Sequence, residues 1–232
     1  MPVPTAQPWS ELIPLFPLPN CVLFPGVGLP LHVFEARYRR MVQDILLKPE
    51  PDRWLALGLL KENYQHLYET PRAPIHPVAC VARLVQAHRF SDGRYNILVV
   101  GAARANVLGE NRRCAYRRVR AAPLTAPPAP ADALPESLSG ELDSLLRRGM
   151  DRGLIDSEML EKFRFEGMDG EPWIDVLTFH MLGSEDTLLK QRVLEETSLC
   201  TRAEILCHWL RVRLEMLDRH EPAEWPPKVS PN

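Results

Sequence analysis

The chain has 232 residues, of which 45% are hydrophobic and 25% charged, and its formal net charge is −2. These values are typical of one large or two small globular domains. The longest apolar stretch, residues 54–60, is far shorter than the ~20 residues that cross a bilayer, and no secretory leader precedes it, so we expect a cytoplasmic protein without membrane contact.

The first half of the chain has the pattern of β-strands. Three prolines between residues 14 and 19 remove backbone donors, which places the first strand at a sheet edge. Further strands are predicted by alternating or continuous apolar residues at 29–33, 78–90, 94–108 and 115–122. Asp92 and Gly93 separate two of these strands and are typical of a tight hairpin, because the glycine supplies a positive φ.

One segment of this half has a helical period. Apolar residues at positions 38, 41, 42, 45 and 46 fall on one face of a helix, and arginines occupy the other face. The first half therefore predicts a small β-barrel or rolled sheet that carries one helix.

The segment before this helix, residues 20–41, contains a Gly-x-Gly and a histidine close to a glutamate. A phosphate loop of the dinucleotide type needs a third glycine where this chain has Leu31, and His32 and Glu35 lack the spacing of metal ligands on a helix. Pro25 and Gly26 instead predict a type II turn. We expect Glu35 to accept the unpaired N–H groups at the start of the helix.

The second half of the chain has the period of helices. Leucines at 138, 142, 145 and 146 form one stripe, and apolar residues at 173, 176, 177 and 181 form another. Thr201 and Glu204 have the spacing of a capping box at the start of a last helix. We expect a helical bundle over residues 138–220.

A proline-rich segment, residues 122–137, separates the two halves and predicts a domain linker. Residues 1–121 contain 16 basic and 9 acidic residues, a balance of +7, and residues 122–232 contain 12 and 21, a balance of −9. The predicted organisation is a β domain at 10–121, the linker, the bundle at 138–220 and a flexible tail at 221–232. Opposite charge should draw the two domains together around a cleft.

The five cysteines are odd in number and include no Cys-x-x-Cys pair. We therefore expect reduced thiols, no disulfide framework, no bound metal and no cofactor. Cys207 beside His208 comes closest to a ligand cluster, but four ligands at short paired spacings are lacking, and packing in the core is the favoured interpretation.

Residues 13–42, which read IPLFPLPNCVLFPGVGLPLHVFEARYRRMV, resemble the opening of the Lon protease N-terminal, substrate-binding domain. The hairpin at 81–107 and the segment LLKQRVLEETSLCTRAEIL at 188–206 extend the resemblance over residues 12–217. It implies a PUA-like β-barrel followed by an α-helical bundle, which is an α+β fold. The family signature falls on residues that we expect to be structural: Pro17, Pro25, Gly26, Glu35, Arg37, Tyr38, Asp92, Gly93, Arg104, Gln191, Leu194 and Glu195.

Full Lon proteases also carry an ATPase module and a peptidase module. This chain has no Gly-Lys dipeptide, hence no Walker A loop, and no Gly-x-Ser-x-Gly. We therefore expect a protein that is not an enzyme and that has no catalytic residues.

Two functions from different classes remain open. The first is recognition of exposed apolar segments of unfolded proteins, alone or as an adaptor for a protease or chaperone, through a loop made by Pro25, Gly26, Val27 and Leu29. Val27 is the expected exposed contact because it lies between two glycines. The second function is RNA binding, with phosphate contacts and base stacking by Arg112, Arg113, Tyr116, Arg117, Arg118 and Arg120. Arginines outnumber lysines by 23 to 5 in the chain, so the arginine cluster is also explained by composition.

Overall fold

The computed structural model describes residues 12–68, 70, 72–124, 134–158, 160 and 170–220. These residues form one six-stranded sheet and five α-helices, so the fold class is α+β as predicted. The strands are β1 (Ile13–Leu18), β2 (Gly28–Val33), β3 (Trp54–Leu59), β4 (Val78–Arg89), β5 (Tyr95–Asn111) and β6 (Arg118–Pro123). The helices are α1 (Ala36–Leu46), between β2 and β3, and α2 (Glu136–Asp151), α3 (Gly170–Met181), α4 (Thr187–Glu195) and α5 (Leu199–His220).

The order of strands in the sheet is β2-β5-β4-β3-β1-β6, and β5 also pairs with β6. Five strands therefore close into a ring, and β2 is added to its outside with β5 as its neighbour. Strand β5 is 17 residues long, which allows it to pair with β2 near its start, with β4 from Tyr95 to Asn106 and with β6 near its end. Strands β1 and β3 are parallel because β2 and α1 lie in the connection between them.

Strand β1 is not at an edge of the sheet, so that prediction was wrong. It lies between β3 and β6, although β6 pairs only with Ile13 and Pro14. The later part of β1, which contains Pro17, pairs with β3 alone. The missing N–H of this proline is tolerated because the strand has one partner there.

The predicted hairpin connects β4 to β5. Gly93 has a φ of +85°, and the amide of Phe90 donates to the carbonyl of Arg94 across a three-residue loop. This arrangement fits a type I turn followed by a glycine bulge, so the glycine alone supplies the positive φ. Asp92 completes the turn because its Oδ1 accepts from the amide of Arg94 at 3.0 Å.

Irregular pairing in β4 and β5 exposes two apolar side chains. The register shifts between Leu84 and Gln86, and again between Val107 and Gly109. The residues inside these bulges, Val85 and Leu108, are 37% and 62% exposed. A bulge turns a side chain away from the face that alternation would assign to it.

The apolar residues of the sheet separate into two layers. One cluster draws on all five strands of the ring and fills its interior with mostly small side chains, such as Ala56, Ala79 and Ala105. The second cluster covers the opposite face with larger residues and buries the predicted face of α1, namely Tyr38, Met41, Val42 and Ile45. A third cluster joins α2, α3 and α5.

The two halves of the chain share the second cluster. Val176 of α3 and Val193 and Leu194 of α4 belong to the same core as the sheet residues. The interface is packed at these residues, whereas the sequence had suggested a cleft between two domains. The predicted linker lies largely outside the described residues, at 125–133, and the predicted tail at 221–232 lies outside them entirely.

The last helix begins earlier than predicted. The amide of Thr201 donates to Oγ of Ser198 at 3.3 Å, so Ser198 provides the cap that had been assigned to Thr201. None of the helices in the described ranges combines the length and the apolar character that a bilayer-spanning helix requires.

Candidate functional site

The loop before β2 contains the predicted turn. The amide of Val27 donates to the carbonyl of Phe24 at 3.2 Å, and Gly26 has a φ of +79°, as the third residue of a type II turn requires. Strand β5 holds this loop, because Gly26 donates to the carbonyl of Gly101 and Gly101 donates to the carbonyl of Val27, both at 2.9 Å.

Val27 is buried, so its predicted exposure was wrong. Its side chain is 3% exposed and belongs to the core against α1. The two flanking glycines expose backbone, while the turn directs the valine inward. Pro25 and Leu29 are both partly buried, so Gly26 is the exposed residue among the four predicted contacts.

An open groove of about 760 Å³ begins beside this loop. Pro30 of β2 lines it and pairs in register with Leu98 of β5, which also lines it. Gly28, which follows the turn, is a neighbour of the same leucine, because a Cβ there would lie 3.8 Å from Cδ1 of Leu98. The bulge residue Val85 lies on the third strand of the groove, β4.

The groove has both an apolar and a polar lining. Pro30, Val85, Ala87 and Leu98 provide the apolar part, and Leu46 adds the end of α1. The polar lining comprises Glu50, Arg53, Gln86, His88 and Asn96. Such a surface suits apolar side chains of a ligand whose backbone remains partly in water.

The sequence did not identify this groove. Leu84 and Val85 are adjacent apolar residues, and only the bulge decides that Leu84 is buried at 2% exposure while Val85 faces solvent. A break in the alternation of β4 was the available signal, but it does not say which residue faces outward.

The predicted RNA-binding segment is largely occupied by contacts within the protein. The ring of Tyr116 is 5% exposed, and its hydroxyl donates to Asp44 at 3.0 Å. Arg117 is 4% exposed, and its guanidinium binds Glu110 and the carbonyl of Ala73. A base has no aromatic face to stack on at Tyr116, so this part of the prediction was wrong.

The other arginines of this segment have different environments. Arg118 is partly buried over the Tyr116 ring, at 5.1 Å from its centroid. Arg112, Arg113 and Arg120 are exposed, and Arg112 pairs with Glu110 at 3.1 Å. The exposed positive charge therefore comes from three arginines rather than from the whole segment.

Glu35 does not cap α1 with its side chain, in contrast to the expectation from the sequence. Its carboxylate accepts from Arg37 at 2.8 Å and from the hydroxyl of Tyr68 at 2.7 Å. Arg37 also donates to the carbonyl of Tyr68 and lies 4.5 Å from the centroid of the Tyr38 ring. Burial raises the pKa of the Tyr68 hydroxyl, and its hydrogen bond to Glu35 raises it further.

Arg104 connects the sheet to the helices. It is 6% exposed and pairs with Asp175, which is fully buried, and with Glu171 at 3.0 Å. Arg202 of α5 pairs with the same two carboxylates, at 3.0 and 2.9 Å. Burial raises the pKa of the Asp175 carboxyl, and the two guanidinium groups oppose this effect.

Gln191 provides a second connection between the halves. Its Nε2 donates to the carbonyl of Val78 at 3.0 Å and to Glu195 at 2.7 Å. Glu195 in turn lies 3.4 Å from Nδ1 of His76. Glu35, Arg104 and Gln191 of the family signature therefore have structural contacts. The sequence did not identify three other residues of these contacts, namely Tyr68, Asp175 and Arg202.

Metal ligands are not assembled in the described residues. Within them, no group of three or more histidine, cysteine, aspartate or glutamate side chains is placed to hold an ion. All five cysteines are free thiols, and Cys207 is buried as its core assignment predicted.

A family model described as the ATP-dependent protease La (LON) substrate-binding domain matches residues 12–212. A Lon protease 2 of Sorangium cellulosum is 27% identical over 137 residues, which are 59% of this chain and 15% of that protein. A Lon protease of Syntrophomonas wolfei is 24% identical over 221 residues, which are 94% of this chain and 26% of that protein. The chain thus spans about a quarter or less of these curated relatives.

Two solved structures have the same fold. The N-terminal domain of a Mycobacterium avium complex Lon protease superposes with a TM-score of 0.64 at 18% identity, covering 87% of this chain and 98% of that one. A Lon N-terminal domain protein from Xanthomonas campestris gives a TM-score of 0.59 at 21% identity, covering 86% and 98%. At these identities the likeness establishes the fold.

Proposed function

The chain belongs to the family of Lon substrate-binding domains, and we propose that it recognises protein substrates by binding their exposed apolar segments. The family supports a role in substrate recognition. The groove between β2, β5 and β4 supports the choice of apolar segments, because the apolar residues Pro30, Val85 and Leu98 line it.

The size and composition of the groove favour a polypeptide with apolar side chains. A volume of about 760 Å³ lies within the ~300–1,000 Å³ typical of ligand sites. Burying one or two apolar side chains of a substrate there contributes about 1.5–3 kcal/mol each, which suits weak and reversible binding. Gly26, the exposed residue of the turn, is available for a further contact with the substrate.

RNA binding is the less favoured function. Its predicted stacking residue, Tyr116, is buried, and its central arginine, Arg117, is held by Glu110. Phosphate contacts would also make binding fall steeply with salt, whereas apolar contacts are much less sensitive. The salt dependence of binding therefore separates the two functions.

The test measures binding of a permanently unfolded protein, reduced and carboxymethylated, by fluorescence anisotropy at low and high salt. Val85→Asp places a charge in the groove and is expected to weaken binding by roughly tenfold. Leu108→Asp is the matched control, since it changes an exposed bulge residue of β5 that does not line the groove.

Equal binding by wild type and Val85→Asp would overturn the assignment of the groove. Equal weakening by both variants would show a general charge effect instead. Binding lost at high salt in the wild type would contradict an apolar mode of binding.

A further inference from the structure

We infer that a pocket between α1 and the segment preceding β6 binds a small oxyanion, namely a phosphate or carboxylate group. The pocket holds about 150 Å³ and is lined by three arginines, Arg37, Arg112 and Arg117, together with Tyr38, Cys114 and Tyr116. It shares no lining residue with the groove described above. Its volume is below the ~300 Å³ of pockets that hold drug-sized ligands, so the occupant is a small group.

The pocket has an excess of positive charge. Glu35 pairs with Arg37 at 2.8 Å, while Glu110 serves both Arg112, at 3.1 Å, and Arg117, at 2.7 Å. Three guanidinium groups thus meet two carboxylates, which leaves one positive charge without a partner in this group.

The neighbouring charges do not remove this excess. Asp44 and Arg118 both contact the hydroxyl of Tyr116, at 3.0 and 2.9 Å, and carry opposite charges. Asp44 also pairs with Arg40 at 3.0 Å. The described charges around the pocket therefore keep an excess of positive charge, which attracts an anion.

The guanidinium groups differ in the donors that they leave for a ligand. Arg117 uses its Nε and Nη2 on Glu110 and its Nη1 on the carbonyl of Ala73, so it positions Glu110 and contributes charge. Arg112 donates from Nε to Glu110, and its two terminal nitrogens donate to no acceptor among the described residues. These terminal nitrogens can hold two oxygens of a phosphate or carboxylate side by side.

Arg37 supplies the opposite wall. Its Nε and Nη2 donate to Glu35 and to the carbonyl of Tyr68, while Nη1 donates to no acceptor within the described ranges. The side chain of Arg37 is 19% exposed and that of Arg117 is 5% exposed. Their partial burial reduces screening by water, which strengthens the attraction for an anion.

Cys114 provides a built-in reporter, because this thiol is exposed and lines the pocket. The experiment follows alkylation of Cys114 by iodoacetamide, with mass spectrometry of the modified peptide, in chloride, phosphate or acetate at equal ionic strength. Phosphate or acetate should slow the reaction at Cys114 saturably and by at least about threefold at high occupancy, while Cys200 reacts at an unchanged rate.

Two single-arginine variants separate a bound ion from general electrostatics. Arg112→Ala should weaken the protection by roughly tenfold in anion concentration, as expected for a lost charge-assisted contact. Arg113→Ala removes the same charge from the adjacent residue, which is exposed and does not line the pocket, and should retain the protection.

A saturable effect of either anion that depends on Arg112 supports the inference, and the comparison of phosphate with acetate identifies the preferred group. Protection by neither anion, or equal protection in wild type and Arg112→Ala, would overturn it. Equal loss in both variants would also overturn it, because the effect would then follow net charge alone.

Discussion

Glu35 links two segments that lie 33 residues apart in the chain. Its carboxylate is 22% exposed and accepts from Arg37 and from the hydroxyl of Tyr68. The hydroxyl of Tyr68 is protonated at neutral pH, as in any tyrosine, and its raised pKa keeps it a donor at higher pH as well. Burial likewise raises the pKa of the neighbouring Tyr38 to about 12.

Replacing Glu35 by alanine should lower the free energy of unfolding by about 1–2 kcal/mol, because two charge-assisted hydrogen bonds are lost from a partly buried site. The midpoint of urea denaturation measures this change. Glu62→Ala is the control, since Glu62 is exposed, and should change stability by less than about 0.5 kcal/mol. A wild-type midpoint for Glu35→Ala would show that the contact contributes nothing to stability.

The five thiols should differ widely in reactivity in the native protein. Burial raises the pKa of Cys80 to about 12 and that of Cys207 to about 11, which removes the reactive thiolate at pH 8. We expect both to be alkylated at least about a hundredfold more slowly than the exposed Cys114. Mass spectrometry of timed samples measures the rates, and unfolding in guanidinium chloride should make them similar. Rapid native alkylation of Cys80 would contradict its burial.

The turn before β2 depends on its fit against β5. A Cβ at Gly101 would come within 2.0 Å of the carbonyl oxygen of Phe24, which belongs to the backbone of the turn and cannot move aside as a side chain can. Residue 101, which exchanges two backbone hydrogen bonds with the loop, must therefore be glycine.

Gly101→Ala should displace the Phe24–Val27 turn and lower the free energy of unfolding by about 2 kcal/mol or more, as overpacking in a core does. Gly109→Ala is a matched control on the same strand, because a Cβ there meets no atom within 4 Å. Denaturation midpoints compare the two variants, and hydrogen exchange at the turn locates the change. Equal midpoints would show that the turn adjusts without loss of stability.

The sequence predicted individual strands and helices better than it predicted which of them pair or pack together. Alternation identified β2, and helical period identified the buried face of α1, because both depend on residues close in the chain. Neither pattern contains the information that β1 has two neighbours, that Val85 lies in a bulge, or that Asp175 binds Arg104 from 71 residues away. These features result from the closure of the ring and from the docking of the helices on it.

The two halves of the molecule behave as one packed unit in this structure. Val176, Val193 and Leu194 contribute to the core of the sheet, and Arg104 lies in a buried group of charges with Asp175. Removing one member of a buried ion pair leaves the other charge unpaired, at a cost of about 3–5 kcal/mol. At this contact an arginine of the basic half meets a carboxylate of the acidic half.

Limited proteolysis should cut first at residues 122–135, because the sequence there is rich in proline and alanine and poor in large apolar residues. Elastase suits this composition. We expect the two fragments to remain together during gel filtration, since they share a core, and to separate when the chain also carries Arg104→Ala. A first cut within residues 20–41, or immediate separation of the wild-type fragments, would contradict this prediction.

The chain is expected to bind substrates without chemical turnover. It contains no Gly-Lys dipeptide, and the family model that it matches describes a substrate-binding domain. ATP hydrolysis and casein degradation by the purified chain should both remain at the level of a buffer control. Activity that copurifies with the chain through repeated chromatography would contradict this expectation.

Pro30 also limits how a polypeptide can approach β2. This strand has β5 as its neighbour on one side, and Pro30, near its middle, has no N–H to offer to an added strand. Pairing of β2 with an edge strand of a second copy is therefore disfavoured, which protects the protein from edge-to-edge aggregation. If a substrate paired its main chain with β2, this pairing would fix the direction in which the substrate runs. A groove that contacts only side chains should therefore accept segments running in either direction.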